Sequence, residues 1–353
     1  MRIVHVNLAK GFRGGERQTV VLIRELEKLA QEQVLVCRAG SPMIDELVGH
    51  RCQVVSVTKP RLSAIYNSAL STNKETLIHA HEAKASQWAY LYYLKTRTPY
   101  IITRRIHKTP SSRFFTKNVY KSALSIIPIS SSVSSTMTTY LTKIGAKQNI
   151  SSVIPSSYAN LPVENTSPRL RDQFPDKFLI GHTAALSFAQ KGQDVIIEAA
   201  RTLEHQYPQL KFVLIGDGED REVLERSARD LGNIAFLGFR TDIGDLLSSL
   251  DVFIFPSRHE GLGSSLLDAL YFNLPIIASN IPGVTDVIRN EENGLLINPS
   301  DPASLRVAIE RLYKDSELRN KLIERAGVSI AKFKPEAMAK SYLSHYLSCA
   351  DWT

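Results

Sequence analysis

The strongest constraint on the fold is a run of short segments that are apolar almost throughout. They are RIVHVN, QVLVC, TLIHAH, PYIITR and LSIIPIS in the first half, and KFLIGHTAAL, KFVLIGDG, IAFLGF, DVFIFPS and PIIAS in the second. Between several of them lie stretches with helical spacing, such as TVVLIRELEKLA, where Leu22, Ile23, Leu26 and Leu29 recur on one face, and SQWAYLYYLK. A strand apolar on both faces must be covered on both, and strands joined by helices run parallel. The pattern therefore predicts an α/β protein built of doubly wound sheets. A chain of 353 residues exceeds what one core usually organises. Two tandem Rossmann-like domains facing across a cleft are expected, over 1–160 and 161–334. The Pro-, Ser- and Asn-rich stretch from Ser156 to Pro175 is the expected linker, and a C-terminal helix over about 335–353 is expected to pack back onto the first domain.

Charge is divided unequally between these halves. Residues 1–160 hold 22 Lys and Arg against 8 Asp and Glu, while the remainder holds 21 against 27. No acidic residue occurs between Glu82 and Glu164, a span containing Lys84, Lys95, Arg97, Arg104, Arg105, Lys108, Arg113, Lys117, Lys121, Lys143 and Lys147, with Phe114 and Phe115 among them. Such a face is either simply solvated or meets a polyanion, a phosphorylated ligand or an anionic membrane leaflet. Cys37, Cys52 and Cys349 have spacings that suit neither a disulfide framework nor a zinc site. The first residues lack the pattern of a signal peptide, and no apolar run approaches the roughly 20 residues of a membrane span. A cytoplasmic protein is the expectation.

In doubly wound folds ligands gather beyond the carboxyl ends of the strands, where helix N-termini present free amides. Four stretches fall there. GFRGGER places Gly14 and Gly15 before a helix, AQKGQDV places Lys191 before a glycine at a helix mouth, and LIGDGED opens the backbone at Gly216 and Gly218. Taken alone, a paired glycine before a helix is more often a tight turn, a lone Lys-Gly is uninformative, and LIGDGED reads as a plain strand-to-helix turn. In the fourth, VFIFPSRHEGLGSSLLDAL, a strand ends, a glycine turn follows and a helix starts near Ser264 or Ser265, either of which could cap it. Glu260 then stands at the strand terminus and Asp268 about one turn into the helix. A carboxylate beside a phosphate is unfavourable unless hydroxyls are present for it to accept from, and a sugar supplies them.

The order and spacing of these stretches resemble the retaining nucleotide-sugar glycosyltransferases of glycosyltransferase family 4, which have the two-domain GT-B fold and include lipopolysaccharide core enzymes. The likeness runs through the Lys-Gly pair, the GDG turn, FLGF, PSRHEGLG, GVTDVI and NGLLINP, and reaches the N-terminal half through GGER and HAHEA. It implies that Glu260 and Lys191 are catalytic, Glu260 holding the transferred sugar's hydroxyls and Lys191 the diphosphate. Gly14, Gly15, Gly218, Gly261, Leu262, Gly263 and Asp268 would complete the donor site, with Asp268 on the ribose. His81, Arg105, His107, Arg113 and Lys117 are the acceptor-side candidates.

Three departures from the family pattern stand out. Asp268 replaces a second Glu. Ala185 stands where an Arg usually shares the diphosphate with the Lys, so Arg258 is a candidate substitute. TRRIHK puts Arg105 where a histidine is common, with His107 two residues on. The resemblance implies transfer with retention from a nucleotide sugar to a phosphorylated glycolipid or glycan, at the inner face of a cytoplasmic membrane. It implies no cofactor, metal or nucleic-acid partner, and the spacing shows no Asp-any-Asp pair or histidine cluster suited to a divalent ion. A sugar-nucleotide epimerase of the same architecture and a non-catalytic binding module are the alternatives.

Overall fold

The computed structural model describes residues 1–58, 75–147, 149–164 and 170–350. They form two compact units, Met1–Ala159 with Phe333–Thr353, and Asn160–Lys332. Of the expected linker, residues 165–169 lie outside the described residues.

The first unit holds one sheet of β1 (Arg2–Asn7), β2 (Glu32–Arg38), β3 (Gln53–Val57), β4 (Thr76–Ala80), β5 (Tyr100–Arg104) and β6 (Ser125–Pro128). Their spatial order is β3-β2-β1-β4-β5-β6 and every pairing is parallel, with Val4 opposite Val34 and His5 opposite His79. Burial on both faces explains the apolar runs: β4 and β5 are buried at every residue. On one face the helices Gly14–Lys28 and Pro335–Ala350 close a core in which Ile3, Leu22, Leu26, Leu77, Ile101, Met338, Tyr342 and Tyr346 are packed together.

The second unit repeats the plan with β7 (Phe178–Thr183), β8 (Leu210–Ile215), β9 (Ile234–Gly238), β10 (Val252–Phe255), β11 (Ile276–Ser279) and β12 (Leu295–Ile297), ordered β12-β11-β10-β7-β8-β9 and again all parallel. The helices Gln193–Leu203 and Pro302–Lys314 bury Val195, Ile196, Ala199, Leu305 and Ile309 against it. In each sheet the chain first builds outward from the founding strand and then returns to its other side. That leaves a topological switch between β1 and β4 in one unit and between β7 and β10 in the other.

Two edge strands, β3 and β12, were not among the expected segments. One is a five-residue QVVSV and the other is only LLI, both too short to show a period. Among the described residues no helix is long and apolar enough to cross a membrane.

Candidate donor site and the histidine network

Lys191 ends the short helix Phe188–Lys191, eight residues after β7, and Glu260 lies in the turn five residues after β10. The neighbouring strands β7 and β10 bring these turns together at the switch point, and Lys191 Nζ donates to Glu260 Oε1 at 2.6 Å. Ser257, missed by the sequence reading although it stands in the same turn, donates its hydroxyl to the same oxygen at 2.9 Å. The side chains are 24% and 10% exposed, so the pair is partly desolvated and still reachable. Without a ligand each charge satisfies the other.

The backbone makes this approach possible. Gly192 has φ +71°, and a Cβ there would stand 2.1 Å from the carbonyl oxygen of Pro256. Only glycine lets the Lys191 turn lie against the Glu260 turn. Gly218 serves the GDG turn similarly: its Cβ would stand 2.3 Å from the Leu186 carbonyl oxygen, while Leu186 N donates to Asp217 O at 3.1 Å. The stretch after β7 that includes Ala185 is thus clamped against the turn after β8. Gln193, fully buried, adds a bond from Nε2 to Ala185 O at 3.0 Å.

Two expectations are corrected here. The helix carrying Asp268, Ser264–Tyr271, begins on Gly263 at φ +89°, with no side-chain cap, so neither Ser264 nor Ser265 is its cap residue. The left-handed backbone that ends the turn sets the helix start in place of a hydroxyl. Arg258 is not a spare cation for the diphosphate, because its fork is closed on Asp194, Nη1 to Oδ1 at 2.8 Å and Nη2 to Oδ2 at 2.7 Å. Asp268 is only 2% exposed, so in the free protein the helix presents little of it. Gly261, Leu262 and Gly263 continue the turn between Glu260 and that helix, with Leu262 buried. Beyond β9 an open pocket is lined by Phe239, Arg240, Asp242, Asp245 and Glu164. Its one arginine is already paired with Asp242, so it suits hydroxyl or amide groups better than phosphate.

The first unit has a different chemistry at its switch point. Gly14 and Gly15 open the helix Gly14–Lys28, and the Glu16 carboxylate already accepts from the Arg13 amide at 2.9 Å. Arg105 lies half-buried beside Gly15, with Nη1 bonded to Ser156 Oγ at 3.3 Å. His81 is buried rather than presented to an acceptor, whereas His107 and Arg113 are exposed and Lys117 is half-buried. Arg104, counted with the basic face, is buried and bonds Tyr120 and the Lys108 carbonyl. Phe114 is 83% exposed, and Phe115 sets its ring edge-on to Tyr90.

A histidine cluster does exist, contrary to the sequence reading. His5, His79 and His81 bring one ring nitrogen each within 4.8 Å of the others. His79 and His81 point to the same sheet face two residues apart, and the β1–β4 register adds His5. His5 Nδ1 faces His81 Nε2 at 3.0 Å and His5 Nε2 faces Gln33 Oε1 at 3.1 Å. His79 bonds Tyr346 and Thr103 at 2.7 and 2.6 Å. Protein partners thus occupy both nitrogens of His5 and of His79, and His81 Nδ1 has none among the described residues. Burial holds all three rings neutral, His5 pushed down to about 4 and the other two well below their usual range, with Arg105 adding repulsion at His79 and His81. With an arginine alongside and the rings engaged by protein, the geometry is that of a neutral hydrogen-bond network joining β1, β4, β5 and the last helix.

Two parallel doubly wound units, one carrying a Lys–Glu pair at its switch point, define a protein of the GT-B class. Residues 171–327, nearly the whole second unit, match the family model of the glycosyl transferases group 1. A lipopolysaccharide core biosynthesis glycosyltransferase of Rhizobium meliloti, LpsE, is 34% identical over 158 residues, 44% of this chain and 45% of that protein. The chain spans about half the length of the first curated relatives it matches. A UDP-Gal:α-D-GlcNAc-diphosphoundecaprenol α-1,3-galactosyltransferase of Escherichia coli is 27% identical across 94% of both chains. Anabaena HepE, solved in complex with UDP and glucose, superposes over 99% of this chain and 100% of its own with a TM-score of 0.82 at 19% identity, which shows the fold.

Proposed function

We propose that the protein is a retaining glycosyltransferase that moves a sugar from a nucleoside diphosphate sugar to a phosphorylated glycolipid in cell-surface glycan synthesis, as in a lipopolysaccharide core. The observation that carries this reading is the Lys191–Glu260 contact at the β7/β10 switch point. Lys191 neutralises charge on the departing diphosphate, and the Glu260 carboxylate accepts from the sugar's hydroxyls as the ring gains oxocarbenium character. Attack from the face the leaving group has just quit gives retention, with the departing phosphate taking the acceptor proton. No metal is assigned a part in this sequence of steps. A UDP sugar is the favoured donor, in keeping with the UDP-galactose of the Escherichia coli relative and the UDP held by HepE.

The diphosphoundecaprenol acceptor named for that relative also fits the basic first half. A phosphorylated lipid in an anionic leaflet is what a domain with 22 cations against 8 carboxylates and an exposed Phe114 would meet at the inner face of the membrane. The test is incubation with UDP-, GDP- and ADP-sugars in chelator, following slow donor hydrolysis and, with acceptor, the product anomer by NMR. Transfer with retention is expected. An inverted product, epimerised donor, or activity that chelation abolishes and a divalent ion restores would overturn the reading.

A further inference from the structure

The segments that meet at Lys191 and Glu260 are held by one arginine that makes contact on both sides of Lys191. Arg258 lies two residues before Glu260. Its backbone amide donates to Gln190 O at 2.8 Å, one residue before Lys191. Its Nη1 reaches the carbonyl of Phe188, and its fork takes both carboxylate oxygens of Asp194 at 2.8 and 2.7 Å, three residues after Lys191. Its Nε donates to Ser300 Oγ at 2.8 Å, in the loop between β12 and the helix Pro302–Lys314. The guanidinium therefore binds residues 188, 194 and 300 at once, and its own chain carries Glu260.

We infer that Arg258 and Asp194 are positioning residues for the donor site, fixing the turn of Glu260 against the turn of Lys191. This rests on the donor-site reading of that pair. The two side chains are 22% and 44% exposed, and an ion pair this open adds little to stability. What it adds is geometry. A planar fork with five donors sets both distance and angle, which a lysine's single ammonium cannot, and a displacement of about 1 Å at reacting groups can cost a hundredfold in rate. Both arms of the fork are engaged by protein, which gives these residues a role in holding the turns.

The test uses the full chain with Arg258→Met, Arg258→Lys and Asp194→Asn, measuring turnover with the donor the native protein accepts, UDP affinity by calorimetry, and melting temperature. Arg258→Met and Asp194→Asn are expected to lower kcat by about tenfold or more while UDP affinity stays within about threefold, the split of an interaction that matters for alignment more than for binding. Arg258→Lys, which keeps the charge without the fork, is expected to remain within about threefold of Arg258→Met. Loss of UDP affinity by about tenfold in Arg258→Met with recovery in Arg258→Lys would make Arg258 a direct phosphate ligand and overturn the inference. So would unchanged kcat in the variants, or melting temperatures that fall in step with kcat. Should Arg258→Met fail to fold, the isosteric Asp194→Asn carries the same measurements. A native chain inert with every nucleotide sugar is a separate outcome, since it sinks the donor-site reading before any variant is compared.

Discussion

The two units share a strand plan, yet their switch points hold opposite chemistry. Between β7 and β10 the loops deliver an ion pair, Lys191 to Glu260 at 2.6 Å, with Ser257 alongside. Between β1 and β4 the strands deliver His5 and His79, and His81 follows one residue after β4, three neutral imidazoles tied to one another and to Gln33, Thr103 and Tyr346. Charges carried on loops can exchange partners when a ligand arrives. Groups carried on buried strands cannot, because each broken bond leaves a desolvated polar atom costing about 1–3 kcal/mol. The same topology thus gives an ion pair on exchangeable loops in one unit and a rigid polar core in the other, and the mean composition of the halves does not reveal which is which.

Removing either charge of the second unit breaks the comparison most sharply. Glu260→Ala and Lys191→Ala should each lower turnover by two to three decades, about 3–4 kcal/mol of transition-state stabilisation. Asp268→Ala should act mainly on donor affinity. Steady-state kinetics with the natural donor decides it, and near-normal turnover in Glu260→Ala would remove the sugar-holding role.

Acid should separate the units next. The unfolded chain takes up protons at its histidines near 6.5, whereas His5 in the first unit and His182 in the second are held down to about 4 by burial, and His79 and His81 well below the usual range. Between those values the unfolded state binds more protons, so stability is complete above pH 6.5 and is lost as pH falls toward 4, by about 1.4 kcal/mol per pH unit for each group. Three such rings in the first unit, with His345 a fourth that burial also lowers and with Arg105, Tyr342 and Tyr346 as charged or titratable neighbours, stand against one in the second. Hydrogen exchange at pH 7 and pH 5 should show β1 and β4 losing protection more than β7 and β10. Equal losses would mean that the network does not set the acid response.

What was legible in the sequence follows the same division. Lys191–Gly192 and Glu260–Gly263 lie in local turns that are visible in the sequence, and the family resemblance, not the turns alone, singles out the two charges as a donor site. His79 and His81 also stand two apart in TLIHAH, and that signal was present, but His5 joins them only through the β1–β4 register. The Arg258–Asp194 fork spans 64 positions and leaves no local sign, so the sequence offers Arg258 as a candidate diphosphate cation without showing its partner. The GFRGGER turn is legible in the sequence, whereas the pairing of its Arg13 amide with the Glu16 carboxylate shows only in the structure.

The smallest effect concerns the surface of the first unit, where the contrast with the acidic second unit is one of net charge alone. Phe114 is 83% exposed at the start of the helix Phe114–Ser122, preceded by Arg113 and followed by Lys117 and Lys121. An aromatic side chain in that position is unfavourable in water and favourable at the level of lipid headgroups. Each cation close to an anionic leaflet contributes about 1 kcal/mol, and that contribution falls with salt as the Debye length shortens. Sedimentation with vesicles containing anionic lipid should therefore capture the native chain at low salt and release it as salt rises. Phe114→Ala should weaken binding modestly at every salt concentration, and joint replacement of Arg113, Lys117 and Lys121 by Glu should abolish its salt dependence. Arg104 cannot take part, since it is buried against Tyr120, and Arg104→Gln should leave vesicle binding unchanged. Equal capture by neutral and anionic vesicles, or none by either, would mean that the surplus positive charge of the first half is solvated and that the acceptor reaches the protein from solution.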